Sequence, residues 1–151
     1  MKVLVVDDDQ AIASIIQMML EAEGLEVQLA LNGAEGYSRY LQFSPELVIT
    51  DIQMPGENGF ELMEHIRAHN PKIKAIYISG DLNRYYALLE EEKTKYPINY
   101  LEKPFTRKEL LSRVSEFMEL GPKGLGHPGG LKKQLSKVPE RRLGGSSLQQ
   151  S

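Results

Sequence analysis

Five short apolar runs alternate with segments of helical periodicity along the first 120 residues, and this alternation constrains the fold more than any other feature. Continuous runs rich in Val, Ile and Leu, such as residues 3–6 and 47–50, are typical of strands that are covered on both faces. The remaining runs cover residues 26–29, 75–78 and 98–101. After each run, apolar residues recur every three or four positions, which is the period of an amphipathic helix.

Five β-α units in about 120 residues predict an open parallel sheet with helices on both faces. Right-handed crossovers leave few arrangements of five strands, and the order 2-1-3-4-5 is the commonest at this size. The sequence therefore predicts an α/β fold of the flavodoxin-like, doubly wound class, with one domain over residues 1–120.

Residues 121–151 have a different composition, with 7 Gly, 3 Pro, 4 Ser and no Phe, Tyr or Trp. Such a stretch buries too little apolar surface to offset the entropy lost on ordering. We predict a flexible basic tail, or a truncated linker. The alternative is a short helix over residues 131–138 that forms on a partner, since three apolar residues there have helical spacing.

The net charge of −3 is unevenly distributed along the chain. Residues 1–120 hold 12 Lys and Arg against 20 Asp and Glu, whereas residues 121–151 hold 6 against 1. We expect no direct binding to nucleic acid, because that needs a basic face on the folded domain. No apolar run approaches the roughly 18 residues of a membrane-spanning helix, and no signal-peptide pattern is present, so we expect a cytoplasmic protein. The absence of Cys excludes disulfides and thiolate metal sites.

Residues able to do chemistry follow four of the five predicted strands. In a parallel sheet the carboxyl ends of the strands share one edge, so these residues are expected to be neighbours in space. They are Asp7, Asp8 and Asp9 after the first strand, Asp51 after the third, Ser79 after the fourth and Lys103 after the fifth.

This set of side chains suits a phosphoryl group. Carboxylates in one small pocket need a counter-charge, because like charges at contact distance raise each other's pKa, and Mg²⁺ is the hard cation that carboxylates and carbonyls bind. Lys103 adds a point charge suited to phosphate, and Ser79 adds a hydroxyl donor. A carboxylate can itself be the nucleophile and form an aspartyl phosphate. In the competing interpretation these are separate turn and capping residues, with Asp9 capping the first helix.

Four separated segments, in this order, resemble the receiver domain of two-component response regulators. They are residues 5–9 (VVDDD), 49–56 (ITDIQMPG), 78–80 (ISG) and 100–105 (YLEKPF). The resemblance covers residues 1–120. It implies a phosphorylation-activated signalling switch, in which Asp51 becomes 4-aspartylphosphate by accepting a phosphoryl group from a histidine kinase or histidine phosphotransfer protein.

The same resemblance assigns a role to each remaining site residue. It implies that Asp8, Asp51 and the backbone carbonyl of Gln53 hold Mg²⁺, with Asp7 helping through water. Ser79 would bond a phosphoryl oxygen and Lys103 would pair with the phosphoryl group. In addition, Tyr100 matches the aromatic switch position, whose ring turns inward when Ser79 moves, and the Lys103–Pro104 peptide is expected to be cis.

The resemblance also implies how the signal leaves the domain. A downstream protein would bind the face formed by the fourth helix, fifth strand and fifth helix. The chain would be a monomer or a weak homodimer. Because the 31 Gly-rich residues 121–151 are too few to encode an output domain, we expect either a stand-alone receiver or a fragment cut at the linker. Phosphorylation of Asp51 and its hydrolysis would be self-catalysed, so no turnover enzyme is expected.

Two functional alternatives remain at this point. Asp7-x-Asp9, Thr50 and Gly80-Asp81 are similar to motifs of haloacid-dehalogenase-type phosphatases, which use Mg²⁺, with Asp7 as nucleophile and Asp9 as general acid. A phosphate-independent, receiver-like interaction module is the other alternative.

Two further residue pairs carry weaker signals. His65 and His69 are four residues apart on one helix and could chelate a metal, although the solvated interpretation is preferred. Tyr85 and Tyr86 either line a partner surface or pack over the fourth strand.

Overall fold

The computed structural model describes residues 1–119 together with residues 142 and 143. The five strands of the main sheet alternate with five helices through residue 119, as the periodicity predicts. The strands are β1 (Lys2–Val6), β2 (Glu26–Ala30), β3 (Leu47–Asp51), β4 (Lys74–Ser79) and β5 (Ile98–Glu102). The helices are α1 (Gln10–Glu21), α2 (Gly33–Phe43), α3 (Gly59–Arg67), α4 (Leu82–Lys93) and α5 (Arg107–Glu119).

These five strands form one parallel sheet in the order β2-β1-β3-β4-β5, which confirms the predicted order. Val6 lies opposite Thr50, and Thr50 lies opposite Tyr77, so β1, β3 and β4 end at nearly the same level. Every residue of β3 is buried, as expected for a strand between two neighbours and two helical layers. This register places the residues that follow the three strands side by side.

Helices cover both faces of the sheet, which confirms the doubly wound class. Because side chains alternate along a strand, Val3 and Val5 pack into one layer and Leu4 and Val6 into the other. On the first face, buried residues of α1 and α5 complete the core. On the second face, the core is completed by α2, α3 and α4.

Side-chain caps fix where two of the helices begin. The Asp9 carboxylate accepts hydrogen bonds from the backbone N–H groups of Ala11 and Ile12, so Asp9 caps α1. At α5, the backbone N–H of Glu109 donates to Thr106 Oγ1, and the Glu109 carboxylate accepts from the Thr106 N–H. These two reciprocal bonds form a capping box at residues 106–109.

The predicted flexible tail, residues 121–151, lies outside the described residues except at Arg142–Leu143, and so does the alternative helix at 131–138. Those two residues form a short strand, β7, that pairs antiparallel with β6 (Phe105–Thr106). β6 directly follows the Lys103–Pro104 peptide, which is cis as expected. None of the helices in the described ranges combines the length and the apolarity needed to cross a bilayer.

A buried ion pair joins the last turn of α4 to the end of α3. Arg67 Nη1 lies 3.2 Å from Glu92 Oε1, and their side chains are only 7% and 16% exposed. The Tyr77 hydroxyl on β4 donates to the same carboxylate at 2.8 Å, and burial raises the pKa of Tyr77 so that it stays a donor. The Arg67 guanidinium also lies over the ring of Tyr96, 3.8 Å from its centroid.

Replacing Glu92 with Ala is expected to lower the free energy of unfolding by about 3 kcal/mol, because it leaves the Arg67 cation buried and unpaired. Urea denaturation measures this loss. Glu91→Ala is the matched control, since Glu91 lies next in the helix but pairs with Lys95 at 3.4 Å on the surface. The control should cost less than about 1 kcal/mol. Equal losses in the two variants would contradict a structural role for the buried pair.

Candidate functional site

The carboxyl edge of the sheet brings together the acidic residues that the sequence singles out. Asp7, Asp8 and Asp51 each present one carboxylate oxygen, and these three oxygens lie within 4.8 Å of one another. Asp7 and Asp51 are buried, whereas Asp8 is exposed. Within the described residues this is the one group of three or more potential metal ligands. The predicted convergence of the strand ends is therefore confirmed.

Lys103 contacts both buried carboxylates. Its Nζ lies 3.2 Å from Asp7 Oδ2 and 3.6 Å from Asp51 Oδ2. Its backbone N–H donates to the carbonyl oxygen of Ser79 at 2.9 Å, which aligns the end of β5 with that of β4. The Lys103 ammonium therefore lies where it neutralises part of the charge of the cluster.

One lysine does not compensate for the burial of two neighbouring acids. Desolvation, the largest effect, and the repulsion from Asp7 together raise the pKa of Asp51 to about 6, even though Lys103 acts to lower it. Desolvation also raises the pKa of Asp7. The hydrogen bond from the Asp9 backbone N–H and the charge of Lys103 lower it, but by less. The site thus holds more negative charge than its own cation balances.

This donor set fits Mg²⁺. Three carboxylates that face one point with a single lysine as counter-charge are hard oxygen ligands short of positive charge. Gln53 lies two residues after Asp51 on the loop at the same edge and is exposed. Its backbone carbonyl remains the predicted additional ligand.

Ser79 and Tyr100 occupy different surroundings. Ser79 is buried at the end of β4, and its Oγ accepts a hydrogen bond from the backbone N–H of Asp81 at 2.9 Å. In contrast, the Tyr100 hydroxyl points to α4, where it donates to the Glu90 carboxylate. The Asp81 side chain, at the start of α4, makes no capping hydrogen bond within the described part of the chain.

Backbone packing under Asp51 was not anticipated from the sequence. A Cβ built on Gly59 would lie 2.4 Å from the Asp51 carbonyl oxygen, so only glycine allows α3 to begin this close to β3. The Gly59 N–H donates to the Ile52 carbonyl, and the Ile52 N–H donates to the Ile78 carbonyl, each at 2.9 Å. Thr50 Oγ1 also donates to the Asp51 carbonyl at 2.9 Å. A glycine just before a helical segment was the available signal, although it resembled an ordinary turn residue.

The phosphatase alternative requires Asp9 to work beside Asp7. Asp9 instead caps α1 through two backbone N–H groups, and its carboxylate is not part of the group formed by Asp7, Asp8 and Asp51. Asp9 therefore behaves as the capping interpretation predicts, which counts against a general-acid role.

His65 lies on α3, but His69 lies in the turn that follows the end of α3 at Arg67, so the expectation that both lie on one helix was wrong; each has a side-chain partner. His65 Nδ1 lies 2.5 Å from Glu57 Oε2, and His69 Nε2 lies 2.6 Å from the Tyr37 hydroxyl. Within the described ranges they belong to no group of three metal ligands. His65 thus connects α3 to the loop before it, and His69 connects the turn after α3 to α2, so neither side chain points only into solvent.

Comparison with known proteins agrees with this geometry. Residues 3–115 match the family model of the response regulator receiver domain. The chain is 34% identical to the chemotaxis protein CheY of Treponema pallidum over 126 residues, covering 78% of this chain and 83% of that protein. It is 38% identical to the DNA-binding transcriptional regulator NtrC of a Bradyrhizobium strain over 112 residues, covering 74% of this chain and only 23% of that regulator.

Solved structures with the same fold include a Francisella response regulator receiver domain, with a TM-score of 0.68 and 30% identity over 79% of this chain and 97% of that one. The receiver domain of NtrX from Brucella abortus has a TM-score of 0.70 and 27% identity over 79% of this chain and 99% of that one. The chain spans 23% and 32% of the lengths of the first two curated relatives, so it is similar to one part of those proteins.

The raised pKa of Asp51 predicts a pH-dependent stability in the absence of divalent cations. Because the pKa is about 6 in the folded protein and 3.8 ordinarily, the neutral acid stabilises the fold below pH 4, and this contribution is lost as the pH rises through 6. Relative to Asp51→Asn, the wild type should lose about 2.5 kcal/mol of unfolding free energy between pH 4 and pH 8. Urea denaturation in EDTA measures the difference. A difference that does not vary with pH would contradict the burial of the charge.

The close approach at Gly59 predicts a steric effect. Gly59→Ala should lower the free energy of unfolding by about 1–3 kcal/mol, because β3 and α3 must separate to admit a methyl group. Gly80→Ala is the matched control, since a Cβ built on Gly80 meets nothing within 4 Å. Urea denaturation of the two variants tests this expectation, which fails if Gly59→Ala is as stable as Gly80→Ala.

Proposed function

Because the chain belongs to the response regulator receiver domain family, we propose that it is a phosphorylation-activated switch of a two-component phosphorelay. In this proposal Asp51 accepts a phosphoryl group from a histidine kinase or a histidine phosphotransfer protein. The observation that carries the proposal is the position of Asp51, which lies within reach of both Lys103 and two further carboxylates at the open edge of the sheet.

The chemistry starts from the Asp51 carboxylate. One of its oxygens attacks the phosphorus of phosphohistidine, and the new O–P bond forms as the P–N bond breaks and the imidazole leaves with that electron pair. A Mg²⁺ ion held by Asp8, Asp51 and the Gln53 carbonyl, with Asp7 acting through water, would offset the negative charge of the carboxylates and the phosphoryl oxygens. Lys103 is close enough to Asp51, at 3.6 Å, to pair with a phosphoryl oxygen by a small displacement of its flexible side chain.

Ser79 provides the connection from the phosphoryl group to α4. Its Oγ now accepts the Asp81 N–H at the start of α4, and its hydroxyl proton is available to donate to a phosphoryl oxygen. If Ser79 moves toward the phosphoryl group, α4 loses the bond at its first turn. Phosphorylation would shift the population between two conformations by no more than its differential binding energy.

The output of this switch is a change in partner binding through the face formed by α4, β5 and α5. We propose no turnover of a released substrate and no direct contact with nucleic acid, consistent with the acidic charge of residues 1–120. A cytoplasmic monomer or weak homodimer fits this role.

Intact-mass measurement after incubation with acetyl phosphate and Mg²⁺ tests the proposal. The wild type should gain one phosphoryl group, Asp51→Asn should gain none, and omitting Mg²⁺ should abolish the gain. Asp9→Asn is the matched control, because Asn keeps the cap of α1 while removing the carboxylate. Phosphorylation should persist in this control.

Other outcomes point elsewhere. Phosphorylation that survives Asp51→Asn but is lost in Asp7→Asn and Asp9→Asn would favour the phosphatase-like chemistry. A wild type that takes up neither a phosphoryl group nor the mimic beryllofluoride would favour a phosphate-independent interaction module.

A further inference from the structure

Three groups of α4 surround the ring of Tyr100 on β5. The Tyr100 hydroxyl donates a hydrogen bond to the Glu90 carboxylate. The ammonium of Lys93 lies over the ring, 5.1 Å from its centroid, and Tyr86 meets the ring edge-on at 6.4 Å. The hydrogen bond to Glu90 also raises the pKa of Tyr100 to about 12, so the phenol remains a donor.

We propose that Glu90 is a positioning residue that holds Tyr100 against α4 in the unphosphorylated state and so sets how much of the protein occupies the active conformation at rest. This inference rests on the proposed function. It adds a specific residue on α4 that opposes the inward turn of the Tyr100 ring.

Space is present for the ring to move toward the phosphorylation site. A cleft of about 520 Å³ lies between α4, β5 and the start of α5, and its lining includes Tyr100, Leu82 and Lys103. Tyr100 is only partly buried at its rim. Since Glu90 lies at the α4 side of the ring, an inward displacement toward Lys103 breaks the bond to Glu90.

The two ends of α4 are held unequally, which gives this bond its effect. The last turn is fixed by the buried pair of Arg67 and Glu92, while the first turn has the Ser79–Asp81 hydrogen bond and no side-chain cap from Asp81. Glu90 lies two residues before Glu92, in the anchored last turn, so its carboxylate is held in place and the Tyr100 ring can turn inward only by breaking the bond to it.

The effect of this hydrogen bond can be measured through the affinity of a ligand that binds the active conformation. A hydrogen bond made only in the resting conformation opposes every ligand that binds the active conformation. Removing the bond should therefore tighten the binding of beryllofluoride with Mg²⁺, which mimics the phosphoryl group on Asp51. For a partly exposed bond to a charged acceptor, we expect Glu90→Ala to lower the dissociation constant about fivefold.

The experiment is a beryllofluoride titration in the presence of Mg²⁺, followed by ¹⁹F NMR, on four variants and the wild type. Glu90→Ala and Tyr100→Phe should both bind more tightly, and the double variant should bind no more tightly than Tyr100→Phe alone, because the two changes remove the same bond. Glu91→Ala is the matched control and should bind as the wild type does, since its carboxylate pairs with Lys95.

Each other outcome overturns a defined part of the inference. If Glu90→Ala binds as the wild type does, Glu90 does not set the resting population. If its effect persists in full when Tyr100 is Phe, Glu90 acts by another route, and the assignment to Tyr100 is wrong. If the wild type binds no beryllofluoride, the proposed function fails and the inference fails with it.

Discussion

Asp7 and Asp51 are buried beside each other, and the rest of the structure depends on tolerating their repulsion. Each carboxylate loses hydration, which raises its pKa; Asp7 raises the pKa of Asp51 further, and Asp8 raises the pKa of both. Lys103 supplies part of the compensating charge from the opposite side of the sheet edge. A deficit of positive charge remains, and it makes the site receptive to a divalent cation.

The fold can hold these mutually repelling carboxylates because the backbone around them is fixed by hydrogen bonds and close packing. The Asp51 carbonyl accepts from Thr50, Gly59 approaches it without a side chain, and Ile52 is bonded across to β4. β1 and β3 are the central strands of a sheet with a core on each face, so their ends have little freedom to separate. Apolar packing thus offsets the electrostatic cost of burying neighbouring carboxylates.

The sequence predicted the architecture because that depends on periodicity, and it predicted the site because parallel strands end at one edge. Asp7, Asp8, Asp51 and Lys103 meet as expected for this reason. The role of Gly59 could not be foreseen, since it depends on how close α3 comes to β3 in three dimensions. The histidine contacts and the bond from Tyr100 to Glu90 depend on rotamers of side chains far apart in sequence, which no periodicity encodes. Arg142–Leu143 pairs with β6, which lies about 36 residues earlier in the chain. The composition of residues 121–151, where Arg142 and Leu143 lie, gave no sign of this pairing.

The unequal attachment of α4 explains how a charge at the sheet edge can affect a distant face. β4 carries Tyr77 and Ser79 two residues apart, and they reach opposite ends of α4 through Glu92 and Asp81. Detaching the Glu92 end of α4 costs more free energy, because it breaks a buried ion pair. A displacement of Ser79 affects the opposite end, where Asp81 is bonded to it. In the proposed switch, a phosphoryl group on Asp51 would need to outweigh only the Ser79 hydrogen bond and the contacts of Tyr100 with α4. A limited free energy would then be enough to reposition the start of the helix without disturbing the core beneath it.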